Sequence, residues 1–159
     1  MASRIFFSPI GELTLVVHEG ALTSLRFGAF PEEPVEEPVE ETSLLQEAER
    51  QLEMYFRGGL QNFDLPLAPR GTHFQRRVWQ ALGEIPYGQT VCYAEIARRV
   101  DCPKGMRAVG LANNRNPLPI FIPCHRVIGK DGSLVGYGGG LAVKERLLAL
   151  EKGIAKEGE

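Results

Sequence analysis

The sequence predicts an α/β N-terminal domain, an antiparallel sheet plus a helix, followed by a mainly α-helical C-terminal domain with a helix-turn-helix. Three observations indicate this fold class. Apolar and polar residues alternate over residues 4–27, as in strands. Apolar residues then recur at helical spacing over residues 44–55. Two short helical segments, joined by a tight break, lie between residues 93 and 113.

The N-terminal domain is expected to span residues 1–68. Strands at Leu13–Val17 and Leu22–Phe27 flank the turn signal Glu19-Gly20. Residues 31–41 are almost all Pro and Glu, which predicts a solvated loop. Near the end of the domain, Phe63 and Leu65 predict one more strand.

The helix of this domain is expected to begin at Ser43, because Ser43 and Gln46 have the spacing of a capping box. It should end at Gly58-Gly59, since glycine commonly follows a helix C-terminus. Its buried face would contain Leu44, Ala48, Leu52 and Tyr55.

The C-terminal domain is expected to span residues 72–159, after a linker at residues 66–71. A capping box at Thr72 and Gln75 starts its first helix, and a turn follows at residues 86–88. The buried stripe of this helix would contain Phe74, Val78, Ala81 and Leu82. Later segments predict a buried strand at 120–122, a hairpin turn at 130–133, a glycine loop at 136–140 and a helix at 141–151.

Predicted helices at residues 93–100 and 104–113, separated by Asp101-Cys102-Pro103, have the form of a helix-turn-helix. Two ordinary packed helices would give the same pattern. A basic cluster on or beside them favours DNA binding, because phosphates attract such a set. Its members are Arg98, Arg99, Lys104, Arg107 and Arg115.

The charge is divided unevenly between the two halves. Residues 1–70 hold five Arg and 12 Asp or Glu, a balance of −7, whereas residues 71–159 have a balance of +5. Such asymmetry indicates a basic face for an anionic partner, although two solvated surfaces would also explain it. The three cysteines lack framework spacing, and neither a membrane span nor a signal segment is visible, so we expect a cytoplasmic protein without a membrane partner.

A thiol with an imidazole beside it follows an apolar run at Pro123-Cys124-His125. A cysteine that is held at the end of a rigid element, next to a base, suits a nucleophile. The alternative is a buried cysteine that acts as a small hydrophobe.

The segment Pro123–Val127 resembles the active-site motif of the methylated-DNA–protein-cysteine methyltransferases, or O6-alkylguanine-DNA alkyltransferases. Further segments are similar to this family in the same order, over roughly residues 72–152: Phe74–Trp79, Ile85–Gly88, Tyr93, Arg107–Gly110, Asn116-Pro117 and Gly139–Glu145. The resemblance implies a ribonuclease-H-like N-terminal domain and a winged-helix C-terminal domain that holds the active site. It also implies repair in which one alkyl group of O6-alkylguanine, or of O4-alkylthymine, moves irreversibly to the cysteine.

The same resemblance implies the catalytic residues. Cys124 would be the nucleophile, His125 would take its proton through a water, and Glu151 would orient the imidazole. Asn116 would brace the active-site turn, and Tyr93 would donate to the departing base. Since a thiolate is the reactive form, we expect the pKa of Cys124 to lie below the ~8.5 of a free thiol.

DNA recognition is implied in the same way. The target base lies inside a duplex stack, so it must be flipped out to meet Cys124. Arg107 would fill the gap, on a helix that the family places in the minor groove. The implied DNA- and base-binding residues are Arg107, Tyr93, Val127, Tyr137, Gly138, Lys144, Arg115, Arg98 and Arg99. We expect a monomer, and cooperative assembly on DNA stays open.

Gly138 stands where the family often has Ser, so one side-chain contact to the base is lost. Residues 1–70 have no Cys and His18 as their only His, so the zinc site of some relatives is not expected, nor any cofactor. The main alternative function is a damage-binding protein without chemistry, against which Cys124 argues. A cysteine hydrolase and a helix-turn-helix regulator are the other two.

Overall fold

The computed structural model describes residues 1–30 and 39–153. The chain folds as two compact units, Met1–Arg70 and Gly71–Glu159. Among the helices in the described residues, none has the length and apolar character that a bilayer crossing requires.

The N-terminal unit begins with an antiparallel sheet. Its strands, in spatial order, are β1 (Ala2–Ser8), β2 (Gly11–His18) and β3 (Ala21–Phe27). Glu19 and Gly20 have φ values of 50° and 81°, as a two-residue hairpin turn requires. Leu13, Leu15 and Val17 of the central strand are fully buried. The two strands predicted from the sequence are therefore confirmed.

Helix α1 (Val39–Phe56) packs on β1 and β2. Its buried apolar side chains are Leu45, Ala48, Leu52 and Tyr55, so the predicted face is correct except at Leu44, which is half exposed. The helix stops as predicted at Gly58, whose φ is 79°. There the N–H groups of Gly58 and Gly59 donate to the carbonyls of Tyr55 and Met54, which closes the helix end.

The predicted start of α1 is wrong. The helix begins at Val39 rather than Ser43, because Glu40 and Glu41 in its first turn interact favourably with the positive end of the helix dipole. Residues 39–41 therefore do not belong to the predicted loop. The rest of that loop, residues 31–38, lies outside the described residues.

The strand predicted at Phe63 and Leu65 is also wrong. The Gln51 side chain satisfies the backbone of Asp64 instead, donating to its carbonyl at 3.0 Å and accepting its N–H at 2.9 Å. Phe63 packs on the Tyr55 ring, with the two centroids 5.2 Å apart. Pairing with the sheet is limited to an isolated bridge between Leu67 and Leu22.

The C-terminal unit contains helices α2 (His73–Gly83), α3 (Tyr93–Arg99), α4 (Met106–Asn114) and α5 (Leu141–Glu151). Two short parallel strands, β4 (Val91–Cys92) and β5 (Val127–Ile128), join its middle to its active-site segment. The capping box of α2 is present as predicted: Gln75 N–H donates to Thr72 Oγ1, and Thr72 N–H donates to Gln75 Oε1.

Helices α2, α3 and α4 pack together around buried side chains that include Val78, Leu82, Ile96 and Val109. The Trp79 indole N–H donates to Ala112 O at 2.8 Å and fastens α4 to α2. Trp79 thus takes the place predicted for Phe74, which is half exposed. Asp101, with φ of 57°, turns the chain sharply between α3 and α4. The predicted pair of short helices is confirmed, although α4 begins at residue 106 rather than 104.

Two local predictions in this unit are wrong. Residues 120–122 are buried but form a turn rather than a strand, because prolines at 117, 119 and 123 remove the donors that pairing needs. Ile122 N–H donates to Leu118 O at 2.9 Å within this turn. Residues 130–133 do form a turn, closed by Gly129 N–H and Ser133 O at 2.8 Å, but no hairpin follows, since β5 pairs with β4.

Candidate active site

Cys124 opens a single 3₁₀ turn, Cys124–Arg126, that connects the proline-rich turn to β5. The residue is 4% exposed. Its N–H donates to Ile122 O at 2.7 Å, and its carbonyl accepts from Val127 N–H. The thiol is therefore attached to a short backbone segment whose polar groups are internally paired.

The backbone that leads into this turn is strained at Ile120, a β-branched residue with φ of 75°. Such a conformation costs on the order of 1–3 kcal/mol and persists when its surroundings fix it. Asn116 supplies part of that restraint: its Nδ2 donates to Ile122 O at 2.8 Å, and its Oδ1 accepts Leu118 N–H at 3.0 Å. Asn116 therefore lies where the bracing role predicted for it requires.

His125 is fully buried, and its Nε2 lies 2.6 Å from Glu151 Oε2. An ionised carboxylate accepts hydrogen bonds, so we assign the imidazole proton to Nε2. Nδ1 is then the acceptor, and it is buried with no hydrogen-bond partner in the described part of the chain. The imidazole is thus oriented through one nitrogen and keeps the other available for a proton.

Arg126 is a further member of the site, whose role was not predicted from the sequence. Its Nε and Nη2 donate to Glu151 at 2.7 and 3.1 Å, and its Nη1 donates to Ile85 O at 2.7 Å. Gly88 N–H adds a longer contact of 3.4 Å to Glu151 Oε1. The position of Arg126, directly after His125 in the motif, was the available signal. An arginine buried at such a position requires a carboxylate partner.

Burial sets the resting protonation states of Cys124 and His125. It raises the pKa of Cys124 from 9.0 to about 11, against the opposing effects of the Asn116 amide and the Lys144 charge. It also lowers the pKa of His125 from 6.5, against the opposing hydrogen bond and charge of Glu151. The predicted pKa of Cys124, below that of a free thiol, is therefore wrong. At neutral pH the structure holds a neutral thiol and a neutral imidazole.

Lys144 is not positioned to contact DNA as predicted. It is fully buried, and its Nζ donates to Val127 O at 2.7 Å and to Val135 O at 3.0 Å. Burial of the ammonium group lowers the pKa of Lys144. The two hydrogen bonds offset the free-energy cost of that burial. Lys144 thus ties Val135, the residue before the glycine loop, to β5, below the surface that a phosphate could reach.

Tyr93 lies at the start of α3, half buried, and its hydroxyl donates to the same Val135 O at 3.2 Å. Burial raises the pKa of Tyr93 and that of Tyr137, and a charge on Cys124 would raise both further, so both phenols lie within electrostatic range of the thiol. Val127 is fully buried directly after the turn, and Gly138 is exposed in the loop. Tyr93 and Tyr137 are thus near enough to Cys124 to feel its charge, whereas the contacts of Val127 and Gly138 with a base stay a prediction.

The predicted phosphate-binding residues fall into two groups. Arg98 and Arg99 both bind Glu95, and these contacts lower the pKa of Glu95 to about 2. Exposed cations of the second group have no ion pair in the described residues; they are Lys104, Arg107 and Arg115. The second group is more available to an external anion than the first.

A surface cavity of about 340 Å³ lies between the starts of α3 and α4. Tyr93, Met106 and Gly110 line it, and Arg107 and Lys130 bring positive charge to it. Lys130 was not among the predicted DNA-binding residues, because the sequence places it far from the helix-turn-helix. The turn at 129–133 brings it to the same face.

Comparisons with known proteins decide the family. A model of the 6-O-methylguanine DNA methyltransferase ribonuclease-like domain matches residues 1–69, and a model of the DNA binding domain of the same family matches residues 73–153. The chain belongs to the 6-O-methylguanine DNA methyltransferase family. The predicted fold class, a ribonuclease-like domain followed by a helical DNA-binding domain, is confirmed for this family member.

Individual relatives of this family cover nearly the whole chain. A methylated-DNA–protein-cysteine methyltransferase of Methanosarcina acetivorans is 54% identical over 153 residues, which are 95% of this chain and 98% of that relative. One from Mycobacterium leprae is 52% identical over 150 residues, 94% of this chain and 91% of its own length. The crystal structure of Mycobacterium tuberculosis OGT in complex with DNA has 47% identity and a TM-score of 0.84, covering 98% of this chain and 95% of that one.

Within residues 1–30 and 39–153, no group of three or more His, Cys, Asp and Glu side chains could hold a metal ion. Cys92 and Cys102 are half-exposed free thiols, and Cys124 is the buried one. The acceptor of an alkyl group is therefore to be sought among these thiols.

Proposed function

We propose that this chain repairs DNA by moving the alkyl group of O6-alkylguanine, and also of O4-alkylthymine, to the sulfur of Cys124. The observation that carries this proposal is the His125–Glu151 pair: the carboxylate orients the imidazole, whose buried Nδ1 has no hydrogen-bond partner among the described residues, in the residue next to the thiol. The names of the relatives support the same reaction.

The transfer needs one proton movement and one displacement. The thiol proton of Cys124 passes through a bridging water to His125 Nδ1, and Glu151 stabilises the imidazolium that forms. The thiolate then attacks the alkyl carbon, a C–S bond forms, and the C–O6 bond breaks. The guanine leaves as an anion, which Tyr93 stabilises by donating a hydrogen bond once its hydroxyl has left Val135 O. Arg126 holds the Glu151 carboxylate against His125 while this happens.

The raised pKa of Cys124 is compatible with this sequence of steps. A neutral thiol and a neutral imidazole hold the same number of protons as the reactive thiolate–imidazolium pair. The enzyme therefore does not store a thiolate; it forms one when an alkyl carbon is in place. A buried resting thiol is also protected from oxidants and from other electrophiles, because the thiolate is the reactive species.

Access to Cys124 requires base flipping. Because Cys124 is 4% exposed, a base inside a duplex cannot reach it. We infer that α4 enters the minor groove, that Arg107 at its start fills the space of the flipped nucleotide, and that Val127, Tyr137 and Gly138 surround the base. Arg107, Arg115 and Lys130, which have no ion pair among the described residues, bind phosphates. Arg98 and Arg99 contribute less while Glu95 holds them.

The remaining parts of the proposal concern organisation. Residues 1–68 form a mainly structural domain, and residues 72–159 carry the whole active site and the DNA surface. The chain acts as a monomer on DNA inside the cell, where its substrate is. Each molecule acts once, because a thioether, unlike a thioester, offers no carbonyl that water could attack.

The decisive experiment is a titration of excess O6-methylguanine duplex with known amounts of protein. We expect one repaired base per molecule and a mass increase of one methyl group, located on Cys124 by peptide mapping. Cys124→Ser should bind the same duplex with similar affinity and repair nothing. No mass increase in the wild-type protein would favour a non-catalytic damage-binding protein, and several products per molecule would favour a hydrolase.

A further inference from the structure

Asn113 is a buried polar residue that the mechanism above does not use. It lies in the last turn of α4, on the helix face that also buries Val109 and Ala112, and it is 2% exposed. Its Nδ2 donates to Cys124 O at 3.4 Å. Its Oδ1 is buried and has no hydrogen-bond partner within the described residues.

Stability alone does not account for this residue. A buried amide that satisfies only part of its hydrogen-bonding capacity destabilises a fold, whereas an apolar side chain of similar size at the same place does not. The neighbouring buried positions of α4 are apolar, as this reasoning predicts. The asparagine therefore carries a cost that its packing does not offset, and the hydrogen bond that its side chain makes within the described residues goes to the peptide of the nucleophile.

The hydrogen bond from Asn113 reaches the carbonyl that also closes the turn of the nucleophile. Cys124 O also accepts Val127 N–H, the bond that closes the 3₁₀ turn. Asn116 holds the segment before the thiol through Ile122 O, and Asn113 holds the peptide directly after it. The Trp79 indole binds the carbonyl of the residue that precedes Asn113, so the helix end that carries Asn113 is itself anchored.

We propose that Asn113 is a positioning residue for alkyl transfer, which fixes the Cys124 turn to the end of α4 so that the thiol is held at the distance and angle that displacement requires. This inference rests on the proposed function. It assigns to α4 a second task beside DNA contact: its C-terminal turn sets the orientation of the nucleophile. Small errors in such an orientation lower a rate strongly, because displacement needs aligned reacting atoms.

Asn113→Leu removes the amide and keeps the approximate volume. We expect its thermal unfolding temperature to equal or exceed that of the wild-type protein. With a free O6-alkylguanine base, the saturating rate constant of Cys124 alkylation should fall about 10-fold or more, while the half-saturating concentration of the base changes by less than about twofold. A rate within twofold of wild type would overturn the proposal, as would a fall in rate only in proportion to a loss of folded protein.

Asn113→Asp provides a second test that does not depend on the apolar variant. An ionised carboxylate cannot donate to Cys124 O, but a protonated one can, and burial raises the pKa of a carboxyl group. The ratio of variant to wild-type rate should therefore rise as pH falls through the pKa of the introduced carboxyl group. Taking the ratio removes the part of the titration of Cys124, His125 and Lys144 that both proteins share. A ratio that is independent of pH would contradict the donor role.

The two levels of failure are distinguishable. If the wild-type protein gains no alkyl group from alkylated DNA, the proposed function fails. If the wild-type protein reacts and both Asn113 variants react equally well, the function stands and only the positioning role is lost.

Discussion

Glu151 Oε2 lies 2.6 Å from His125 Nε2, at the C-terminal end of a helix whose dipole disfavours a negative charge. That cost, ~0.3–1 kcal/mol for an exposed group, is offset by the imidazole and by the guanidinium of Arg126. The arrangement commits the carboxylate to the imidazole. Glu151 therefore acts on the reaction through the protonation of His125, and the pH dependence of the rate tests this.

Glu151→Gln should slow alkylation by roughly 10²-fold in the neutral range, the usual scale for a general-base contribution. Wild-type rates should be flat near neutral pH and fall as pH drops through the lowered pKa of His125. Since Glu151 raises that pKa, its removal should move the acid limb to still lower pH. The rate of reaction with a free O6-alkylguanine base, measured against pH, checks both effects. Glu145→Gln, at an exposed position of α5, is the matched control. If the acid limb of Glu151→Gln were not shifted relative to wild type, Glu151 would have no part in the relay.

The combined contribution of His125 and Cys124 to the free energy of unfolding should be greatest between about pH 6.5 and 9. Below that window the unfolded chain binds a proton at His125 that the fold disfavours, and above it the unfolded chain releases a proton that folded Cys124 retains up to about pH 11. The Cys124 share is roughly 2–3 kcal/mol, lost between pH 9 and 11. Urea denaturation of wild type and Cys124→Ser at pH 8 and pH 11 isolates it, because the variant lacks this loss. Equal alkaline losses would show that Cys124 does not titrate as described.

Arg107→Ala should slow the repair of duplex DNA by 10²-fold or more, because the side chain offsets an unstacking cost of a few kcal/mol. The reaction with a free alkylated base should change by no more than about two- to threefold, since no base is flipped. Single-turnover rates with both substrates measure the difference. Arg115→Ala, which removes an exposed cation from the end of the same helix, controls for a lost phosphate contact. Equal losses on both substrates would instead assign Arg107 to the fold or the pocket.

Glu95→Gln should strengthen DNA binding, although residue 95 itself gains no contact to DNA. The substitution releases Arg98 and Arg99 from their shared carboxylate and removes a negative charge from the DNA-facing surface. The slope of log affinity against log salt should become steeper by up to about two, and Lys130→Gln should make it shallower by about one. Binding titrations at several salt concentrations measure both slopes. Weaker binding by Glu95→Gln would show that the two arginines do not face DNA.

The alkylated protein should be less stable than the free one. Cys124 lies in a packed site, and inserting extra carbon atoms into such a site costs about 1–3 kcal/mol. A benzyl group should therefore lower the unfolding temperature more than a methyl group. Thermal unfolding before and after stoichiometric reaction provides the measurement, with Cys124→Ser treated identically as the control. Unchanged stability for both adducts would mean that the pocket accommodates them without strain.

Several features were predictable from the sequence because they depend on local signals. The cap at Thr72, the stop at Gly58 and the last helix, residues 141–151, occur where side-chain chemistry and apolar spacing place them. The start of α1 was missed because a good cap at Ser43 is outweighed by acidic residues one turn earlier. The strand predicted at Phe63 is wrong for another reason: the side chain of Gln51, distant in sequence, makes the hydrogen bonds of the Asp64 backbone that a strand partner would make.

The sequence by itself determined the family, the fold class and the identity of Cys124 as the candidate nucleophile, since motif order and periodicity are written in the chain. Only the tertiary structure decided the electrostatics of the site. The pKa of Cys124 depends on how completely surrounding groups exclude water, which residue spacing does not report. The role of Arg126, the burial of Lys144 and the pairing of Arg98 and Arg99 with Glu95 were decided in the same way. A charge acts through its neighbours in space, and folding selects those neighbours.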